Sequence, residues 1–274
     1  MSSTSTRVFK VGIGRFVQQD FNQKGYVRAM RLALLHQYTR LAGLRVSMKE
    51  HHGPFFKNYT FFIRHQWAML NEDITSDMIP QPIHGLYSVT YLGSSSFLCK
   101  SQIILEKQQK CISTCIAQAV CVSLQNRKPV PFPVAIKEIY SYAALGARPQ
   151  IAPLLATPEP TQQQIGIQKA FIGETDVDEN GHANNTAYLQ FCSDVARKAA
   201  TDKKFTYVTP DILDSRLKEY TIHYIGETVQ GDEVTFTSWQ DLQNEYLLHF
   251  EAKKDDSVII RCQFDFNPKL HSSL

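Results

Sequence analysis

Residues 176–188, DVDENGHANNTAY, gather side chains that could do acid–base chemistry. Carboxylates, amides and one imidazole surround a single glycine. A carboxylate in such a group can take a proton from water, an imidazole can do so near neutral pH, and an amide can orient either group. Asp, Asn and Gly are equally typical of a turn that caps a helix. The segment therefore predicts a capped turn or a catalytic site, and the surrounding elements decide between them.

A helix follows this segment, and a second helix follows a similar segment near residue 20. In the helix of the first half, which follows the segment near residue 20, apolar side chains recur mostly at helical spacing. These positions are Tyr26, Met30, Ala33, Leu34, Gln37 and Leu41. This spacing predicts one long amphipathic helix in each half of the chain.

The two halves resemble each other weakly. QDFNQKGY, from Gln19, aligns without gaps with TDVDENGH, from Thr175, so that Gly25 meets Gly181. Later, TYLGSSSF parallels HYIGETVQ. In this pairing the places of Asp178, Asn180, His182 and Glu227 are taken by Asn22, Lys24, Tyr26 and Ser94. The repeat predicts two related units, the first of them without a general base.

Proline separates the two units. Seven of the twelve prolines fall between Pro129 and Pro160, and each removes a backbone donor and restricts φ. The predicted organisation is an N-terminal unit at 1–128, a proline-rich connection at 129–164 with a short helix near 134–145, and a C-terminal unit at 165–274. Chain length permits one large domain or two small ones.

Several segments with period-two alternation follow each helix. In the last of them, Ile260, Cys262, Phe264 and Phe266 form one apolar face. One long helix with several antiparallel strands predicts an α+β unit whose sheet curls around the helix. Edge pairing of two such units would give one continuous sheet and a pseudo-dimer.

The segment DVDENGHANNTAYL resembles the signature of hot-dog-fold thioesterases, Asp-x-Asp-x-x-Gly-His-x-Asn-Asn-x-x-Tyr. Two such units, with the motif in the second, resemble the acyl-[acyl carrier protein] thioesterases. The resemblance implies a tandem (double) hot-dog fold with two central helices, each wrapped by an antiparallel sheet. It also implies hydrolysis of fatty acyl thioesters carried by acyl carrier protein or coenzyme A.

The resemblance implies roles for individual residues. The family's catalytic Asp, Asn and His fall on Asp178, Asn180 and His182, and its Glu falls on Glu227. The family's Cys position holds Thr228, which argues against a thiolate nucleophile. The N-terminal unit would mainly house the acyl chain. Aromatic residues consistent with such a lining, and equally with an ordinary core, are Phe55, Phe56, Phe61, Phe62 and Trp67.

These residues suit thioester hydrolysis. Asp178 or Glu227 can act as the base that activates water, and His182 can transfer the same proton. If the helix starts near Gly181 to Asn184, its free amides at the positive end of the helix dipole can bind the oxyanion. Glu227 lies on a separate strand from the motif, which favours a site over a simple turn.

Other classes of function have little support. The net charge of +3 is spread along the chain, so neither nucleic acid nor an anionic membrane is indicated. No apolar run approaches the ~20 residues of a membrane helix, and no secretory signal is visible. The six cysteines form no CxxC pair and predict buried free thiols. No cofactor or metal is expected, and the predicted compartment is cytoplasmic or an organelle interior.

Two alternatives stay open beside the hydrolase. A non-catalytic acyl-binding double hot-dog protein would fit the degenerate first half and the missing Cys. An enoyl-thioester hydratase or dehydratase is a more distant third, because the Gly-Asp-x-Asn-Pro pattern of those enzymes is absent. Sequence leaves open whether the pseudo-dimer associates further into a homodimer, and which acyl chain and carrier it takes.

Overall fold

The computed structural model describes residues 7–144, 153–158, 165–178, 181–215 and 217–266. The chain forms two compact units. Unit 1 comprises Met1–Phe16, Leu34–Glu72 and Asp77–Ala152, and unit 2 comprises Val17–Ala33, Asp73–Ser76 and Pro153–Leu274. The two units thus differ from the predicted boundaries, since two short segments from the first half of the sequence are part of unit 2.

Unit 1 contains an antiparallel five-stranded sheet in the order β1-β3-β4-β5-β2. Its strands are β1 (Phe9–Arg15), β2 (Tyr59–Leu70), β3 (Pro82–Leu92), β4 (Ser96–Leu105) and β5 (Lys110–Ser123). The helices of this half are α1 (Ala29–Met48), α2 (His52–Phe56) and α3 (Val134–Ile139). Tight turns join β3 to β4 and β4 to β5, so these three strands lie beside one another in sequence order, whereas β1 pairs with β3 and β2 pairs with β5.

Unit 2 repeats this plan. Its strands are β6 (Gly166–Phe171), β7 (Glu219–Tyr224), β8 (Glu233–Gln240), β9 (Leu247–Lys254) and β10 (Ser257–Asp265). They pair antiparallel in the order β6-β8-β9-β10-β7, and the helices are α4 (Ala187–Thr201) and α5 (Pro210–Leu213). Strand for strand, this is the order of unit 1. The predicted α+β double hot-dog fold is therefore confirmed.

The buried face of helix α1 matches the predicted one only in part, since Ala33 is buried as predicted but other predicted positions are not. Leu41 of the predicted apolar face is 51% exposed, whereas the buried positions include four polar residues. The buried side chains of α1 are Leu32, Ala33, Leu35, His36, Thr39, Arg40, Leu44, Ser47 and Met48. Hydrophobic periodicity missed this face because hydrogen bonds, rather than apolar character, allow its polar residues to be buried.

The core of unit 2 follows the predicted pattern more closely. On β10 the side chains of Ile260, Cys262 and Phe264 are buried on one face, as the alternation predicted. Helix α4 packs against this sheet with Tyr188, Leu189, Cys192, Val195, Ala196, Ala199 and Ala200. Alternation works here because the buried face of the strand is apolar at every position.

Aromatic rings form much of the core of unit 1. Phe55 stacks on Phe61 with ring centroids 4.7 Å apart, and Phe61 meets Phe97 edge to face at 5.0 Å. Phe55 is buried in this core, and Phe56 and Phe61 are partly buried against it. Phe62 follows Phe61 on the same strand and therefore points to the other face of the sheet.

Two glycines let α1 approach its sheet closely. A Cβ on Gly43 would lie 2.2 Å from Cγ of Tyr87 on β3, and one on Gly85 would lie 2.4 Å from Oγ1 of Thr39. Both neighbours are fully buried and cannot move aside without disturbing the core.

We expect Gly43→Ala to destabilise the protein by about 1–2 kcal/mol. Overpacking a core costs roughly 1–3 kcal/mol, and the 2.2 Å overlap with a buried ring places this cost at about 2–3 kcal/mol, from which the gain in helix propensity, roughly 1 kcal/mol, is subtracted. Urea unfolding of the variant checks this, with Gly53→Ala as the control, because a Cβ on Gly53 meets nothing within 4 Å. Equal stability of Gly43→Ala and the wild type would contradict the close approach.

The predicted connection is described only in part. Its predicted helix is shorter than expected, with α3 followed by a single 3-10 turn at Ser141–Ala143, while 145–152 and 159–164 lie outside the described residues.

The six cysteines are free thiols, and all but Cys111 are buried. Within the described part of the chain, no helix combines the length and apolar character needed to cross a membrane.

Candidate active site

The motif segment forms a tight turn between a 3-10 turn at Glu174–Asp176 and helix α4. The backbone N–H of Asp178 donates to the carbonyl oxygen of His182 over 2.8 Å, and that of Gly181 donates to the carbonyl oxygen of Asp178 over 2.9 Å. Gly181 has φ +75°, a conformation that favours glycine. Oδ1 of the half-buried Asp178 accepts the N–H of His182 over 3.3 Å. Asp178 and His182 are therefore held side by side, while Asn180 lies outside the described residues.

Glu227 comes to this turn from the segment that follows β7. Its Oε2 lies 3.4 Å from Nδ1 of His182, a contact that is longer than a typical hydrogen bond and is an ion pair when the imidazole is protonated. The side chain of His182 is 28% exposed and that of Glu227 is 35% exposed, so solvent reaches both. Backbone pairing of His182 with Val229 fixes the register between the two segments. Of the predicted catalytic residues, Asp178 and Glu227 thus both contact His182, the first at its backbone N–H and the second at its ring.

The predicted start of the helix is wrong. Helix α4 begins at Ala187, and the amides of Gly181 and Asn184 are already used. Gly181 donates to the carbonyl oxygen of Asp178, and Asn184 donates to that of Asp176 over 2.7 Å. Oδ1 of Asn184 accepts the N–H of Thr186 over 3.1 Å, a side-chain turn that delays the helix. Gly181 and Asn184 therefore shape the turn and do not offer free oxyanion donors.

Thr228, at the position of the family's Cys, is buried beside the turn. Its carbonyl oxygen accepts the N–H of Ala183 over 2.8 Å. Its hydroxyl lies 2.8 Å from the hydroxyl of Tyr188, in the first turn of α4. Thr228 is 1% exposed and Tyr188 is 2% exposed, so neither hydroxyl can contact a substrate in this structure.

The corresponding segment of the first half repeats the hydrogen bonds of the motif segment and the positive φ of its glycine. Asn22 N donates to the carbonyl oxygen of Tyr26 over 2.8 Å, and Gly25 N donates to that of Asn22 over 3.0 Å. Oδ1 of Asn22 accepts the N–H of Tyr26 over 3.0 Å, and Gly25 has φ +81°. Asn22 and Tyr26 occupy the places of Asp178 and His182. The shape of this turn therefore needs neither a carboxylate nor an imidazole.

The same comparison corrects the first-half partner of Glu227. In the first half, the N–H of Val27 donates to the carbonyl oxygen of Ile74 over 3.0 Å, as the N–H of Ala183 donates to that of Thr228. Ile74 therefore corresponds to Thr228, and Asp73, which precedes Ile74, corresponds to Glu227. Ser94 lies instead between β3 and β4. The alignment matched Ser94 to Glu227 because both follow a Tyr-x-Gly sequence. In the first half this sequence leads into the β3–β4 hairpin, whereas in the second half it lies at the end of β7. The first half thus keeps a carboxylate, at Asp73, but no imidazole beside it.

Asp176 has a role that the sequence interpretation missed. Its Oδ2 accepts the N–H of Gly173 over 2.9 Å, and its backbone oxygen accepts the N–H of Asn184, so it closes the turn at both ends. Asp20 makes the same side-chain bond to Val17 N, over 2.8 Å. The recurrence of this Asp in both halves was the signal that could have identified it.

Comparison with known proteins shows which family the second half of the chain resembles. Residues 163–268 match the family model for the acyl-ACP thioesterase C-terminal domain. No curated protein matches the chain. The acyl-ACP thioesterase of Bacteroides thetaiotaomicron superposes with a TM-score of 0.69 at 18% identity, covering 95% of this chain and 97% of its own. The 12:0-ACP thioesterase of Umbellularia californica superposes with a TM-score of 0.72 at 11% identity, covering 94% and 96%.

The matched segment includes the whole candidate site, from Asp178 to Glu227. At these identities the superpositions show a shared fold. Residues 163–268 are therefore similar to the acyl-ACP thioesterase C-terminal domain, and the chain shares its double hot-dog fold with the superposed acyl-ACP thioesterase structures.

Proposed function

We propose that this protein hydrolyses fatty acyl thioesters to a free fatty acid and a carrier thiol, using the carboxylate–imidazole cluster of unit 2. The observation that carries the proposal is that two carboxylates contact His182, Asp178 through the backbone N–H over 3.3 Å and Glu227 through the ring Nδ1 over 3.4 Å. Two of these residues lie on one turn and the third comes from a separate segment. A capped turn alone would not require Glu227 to face His182.

In the proposed mechanism, Asp178 is the general base. Its carboxylate takes a proton from water as the water oxygen attacks the thioester carbonyl carbon. The carbon–sulfur bond of the resulting tetrahedral intermediate then breaks, and the sulfur leaves as a thiol after taking up the proton that Asp178 accepted from water. Glu227 orients the ring of His182, which passes this proton from Asp178 to the leaving sulfur. The resemblance adds Asn180 as the amide that orients the water.

The developing oxyanion needs positive potential beside the carboxylates. The fifteen residues of α4 begin at Ala187, directly after the turn, and the positive end of the helix dipole lies there. We place oxyanion stabilisation at this helix end as an electrostatic effect. This replaces the expected role for the amides of Gly181 and Asn184, which are committed to the turn.

The proposed substrate is acyl carrier protein loaded with a fatty acyl chain. The support is the family model, which describes acyl-ACP thioesterases, and a structural neighbour named as a 12:0-ACP thioesterase. Acyl-coenzyme A presents the same thioester and is the second carrier to test. We also propose, from the resemblance, that the first half mainly houses the acyl chain.

A non-catalytic acyl-binding protein is the second candidate function. It is favoured by Thr228 at the place of the family's Cys and by the loss of His and Asp at Tyr26 and Asn22 in the first half. Such a protein would hold an acyl thioester without releasing thiol.

A thioester panel decides between the two functions. Purified protein is incubated with acyl chains of several lengths on acyl carrier protein and on coenzyme A, and free thiol and free fatty acid are both measured. We expect equimolar release of the two products, faster from acyl carrier protein. Tight binding of the acyl thioesters without release of either product would overturn the hydrolase and support the binder.

Within this panel, Glu227→Gln should lower kcat by about 10- to 10²-fold. The amide can still contact the His182 ring but no longer provides the negative charge that strengthens the contact, which is worth roughly 1.5–3 kcal/mol. Glu233→Gln is the matched control, because Glu233 pairs with Lys169 at an exposed position. Unchanged kcat in Glu227→Gln would remove Glu227 from the mechanism.

A further inference from the structure

The hydroxyls of Tyr188 and Thr228 form a buried pair next to the candidate site, since Thr228 follows Glu227 in sequence. Their oxygens lie 2.8 Å apart. Thr228 also precedes Val229, whose backbone pairs with His182. The pair therefore connects the first turn of α4 to the short segment that presents the Glu227 carboxylate.

Tyr188 is itself held in place. Its ring meets that of Tyr224, on β7, edge to face with centroids 6.1 Å apart. The hydroxyl of Tyr224 in turn donates to the carbonyl oxygen of Asn185 over 3.0 Å. Burial raises the pKa of the Tyr188 hydroxyl, so it stays protonated and can donate to Thr228. These contacts fix Tyr188 independently of Thr228.

The first half shows that the fold does not need this hydroxyl pair. By the correspondence of the two turns, Leu32 stands where Tyr188 stands and Ile74 stands where Thr228 stands. Both are 1% exposed, and the backbone bond to Ile74 is retained. An apolar pair thus fills the same place and supports the same turn. The hydroxyl pair is found in the half that carries the aspartate, imidazole and glutamate together.

We propose that the Tyr188–Thr228 pair positions Glu227 against His182, so that Thr228 is a positioning residue rather than a nucleophile. This inference rests on the proposed hydrolase function. The Thr228 hydroxyl is buried and engaged by Tyr188, which leaves it no path to a thioester carbonyl. Its bond to Tyr188 instead restrains the backbone on both sides of the residue, including the Cα from which Glu227 reaches His182.

The test removes the hydrogen bond between Tyr188 and Thr228 by substituting either partner. Thr228→Val and Tyr188→Phe should each lower kcat about tenfold with little change in KM, as expected for one hydrogen bond that orients a catalytic group. The double variant should be no slower than either single variant, because both remove the same bond. Thr228→Ser should restore most of the activity.

A matched control separates positioning from general stability. Ser47 and Tyr140 form a similar buried hydroxyl pair, 2.6 Å apart, in unit 1. Tyr140→Phe should lower the unfolding free energy as Tyr188→Phe does but leave kcat unchanged. If Thr228→Val fails to fold, the double variant Tyr188→Leu/Thr228→Ile, which copies the first half, replaces it and should fold with reduced kcat.

A second readout does not depend on turnover. The imidazole NMR resonances of His182, assigned with His182→Gln, should shift in Thr228→Val and stay unchanged in Tyr140→Phe. Failure of the hydrolase proposal would appear as a wild type without thiol release, whatever the NMR result. Unshifted His182 resonances, wild-type kcat in Thr228→Val, or an acyl ester trapped on Thr228 would each overturn the positioning role.

Discussion

Asp178→Asn is expected to lower kcat for acyl thioester hydrolysis by about 10²- to 10⁴-fold while the turn stays intact. The amide oxygen of the new side chain can accept the N–H of His182, as Oδ1 of Asn22 accepts the N–H of Tyr26 in the first half. The amide cannot take a proton from water at neutral pH. Steady-state kinetics with acyl carrier protein substrates, together with thermal unfolding, measure the two effects separately.

The first half supplies the control for this experiment. Asn22→Asp makes the reverse change in the equivalent turn, where it removes the bond from Nδ2 of Asn22 to the carbonyl oxygen of Asp214. It should cost about 1 kcal/mol of stability and leave kcat unchanged. Wild-type kcat in a folded Asp178→Asn protein would assign Asp178 to the turn alone and leave Glu227 as the remaining carboxylate for the base.

The motif and the fold could be predicted because their signals are local. Gly181 and Gly25 occupy the left-handed region in both halves, and the Asp that precedes each by five residues closes the turn at both places. Alternation on β10 identified a buried face because its residues are apolar. These features depend on backbone conformation and side-chain polarity, which a single sequence displays directly.

Features that depend on individual hydrogen bonds between distant or irregular segments were not predictable in the same way. The start of α4 was placed too early because Asn184 turns the chain before the helix begins. Ser94 was matched to Glu227 in place of Asp73, since only the backbone bond to Ile74 identifies the correct segment. In each case the deciding contact joins a polar side chain or backbone group to a partner that the sequence pattern does not specify.

The buried face of α1 has a further consequence, in the pH dependence of stability. His36 is fully buried in unit 1, and its Nδ1 and Nε2 each lie 2.9 Å from a serine hydroxyl, those of Ser101 and Ser113. Burial, with a smaller contribution from the nearby Arg40 charge, lowers the pKa of His36 from 6.5 to about 3. The imidazole therefore stays neutral in the folded protein at pH values where it would be protonated in the unfolded chain.

Acidification from pH 7 to pH 5 should cost the wild type about 2 kcal/mol of unfolding free energy through His36 alone. In the unfolded chain the His36 imidazole binds a proton below about pH 6.5, whereas in the folded protein it does so only near pH 3. The free energy of unfolding is therefore unaffected by His36 well above pH 6.5 and decreases as the pH falls below it. Urea unfolding at several pH values measures the slope. His36→Gln lowers stability at pH 7 but removes this titration, so the difference between wild type and variant should shrink by about 2 kcal/mol at pH 5. A pH-independent difference would mean that His36 is protonated in the folded state, with the serines and Arg40 rearranged around a buried cation.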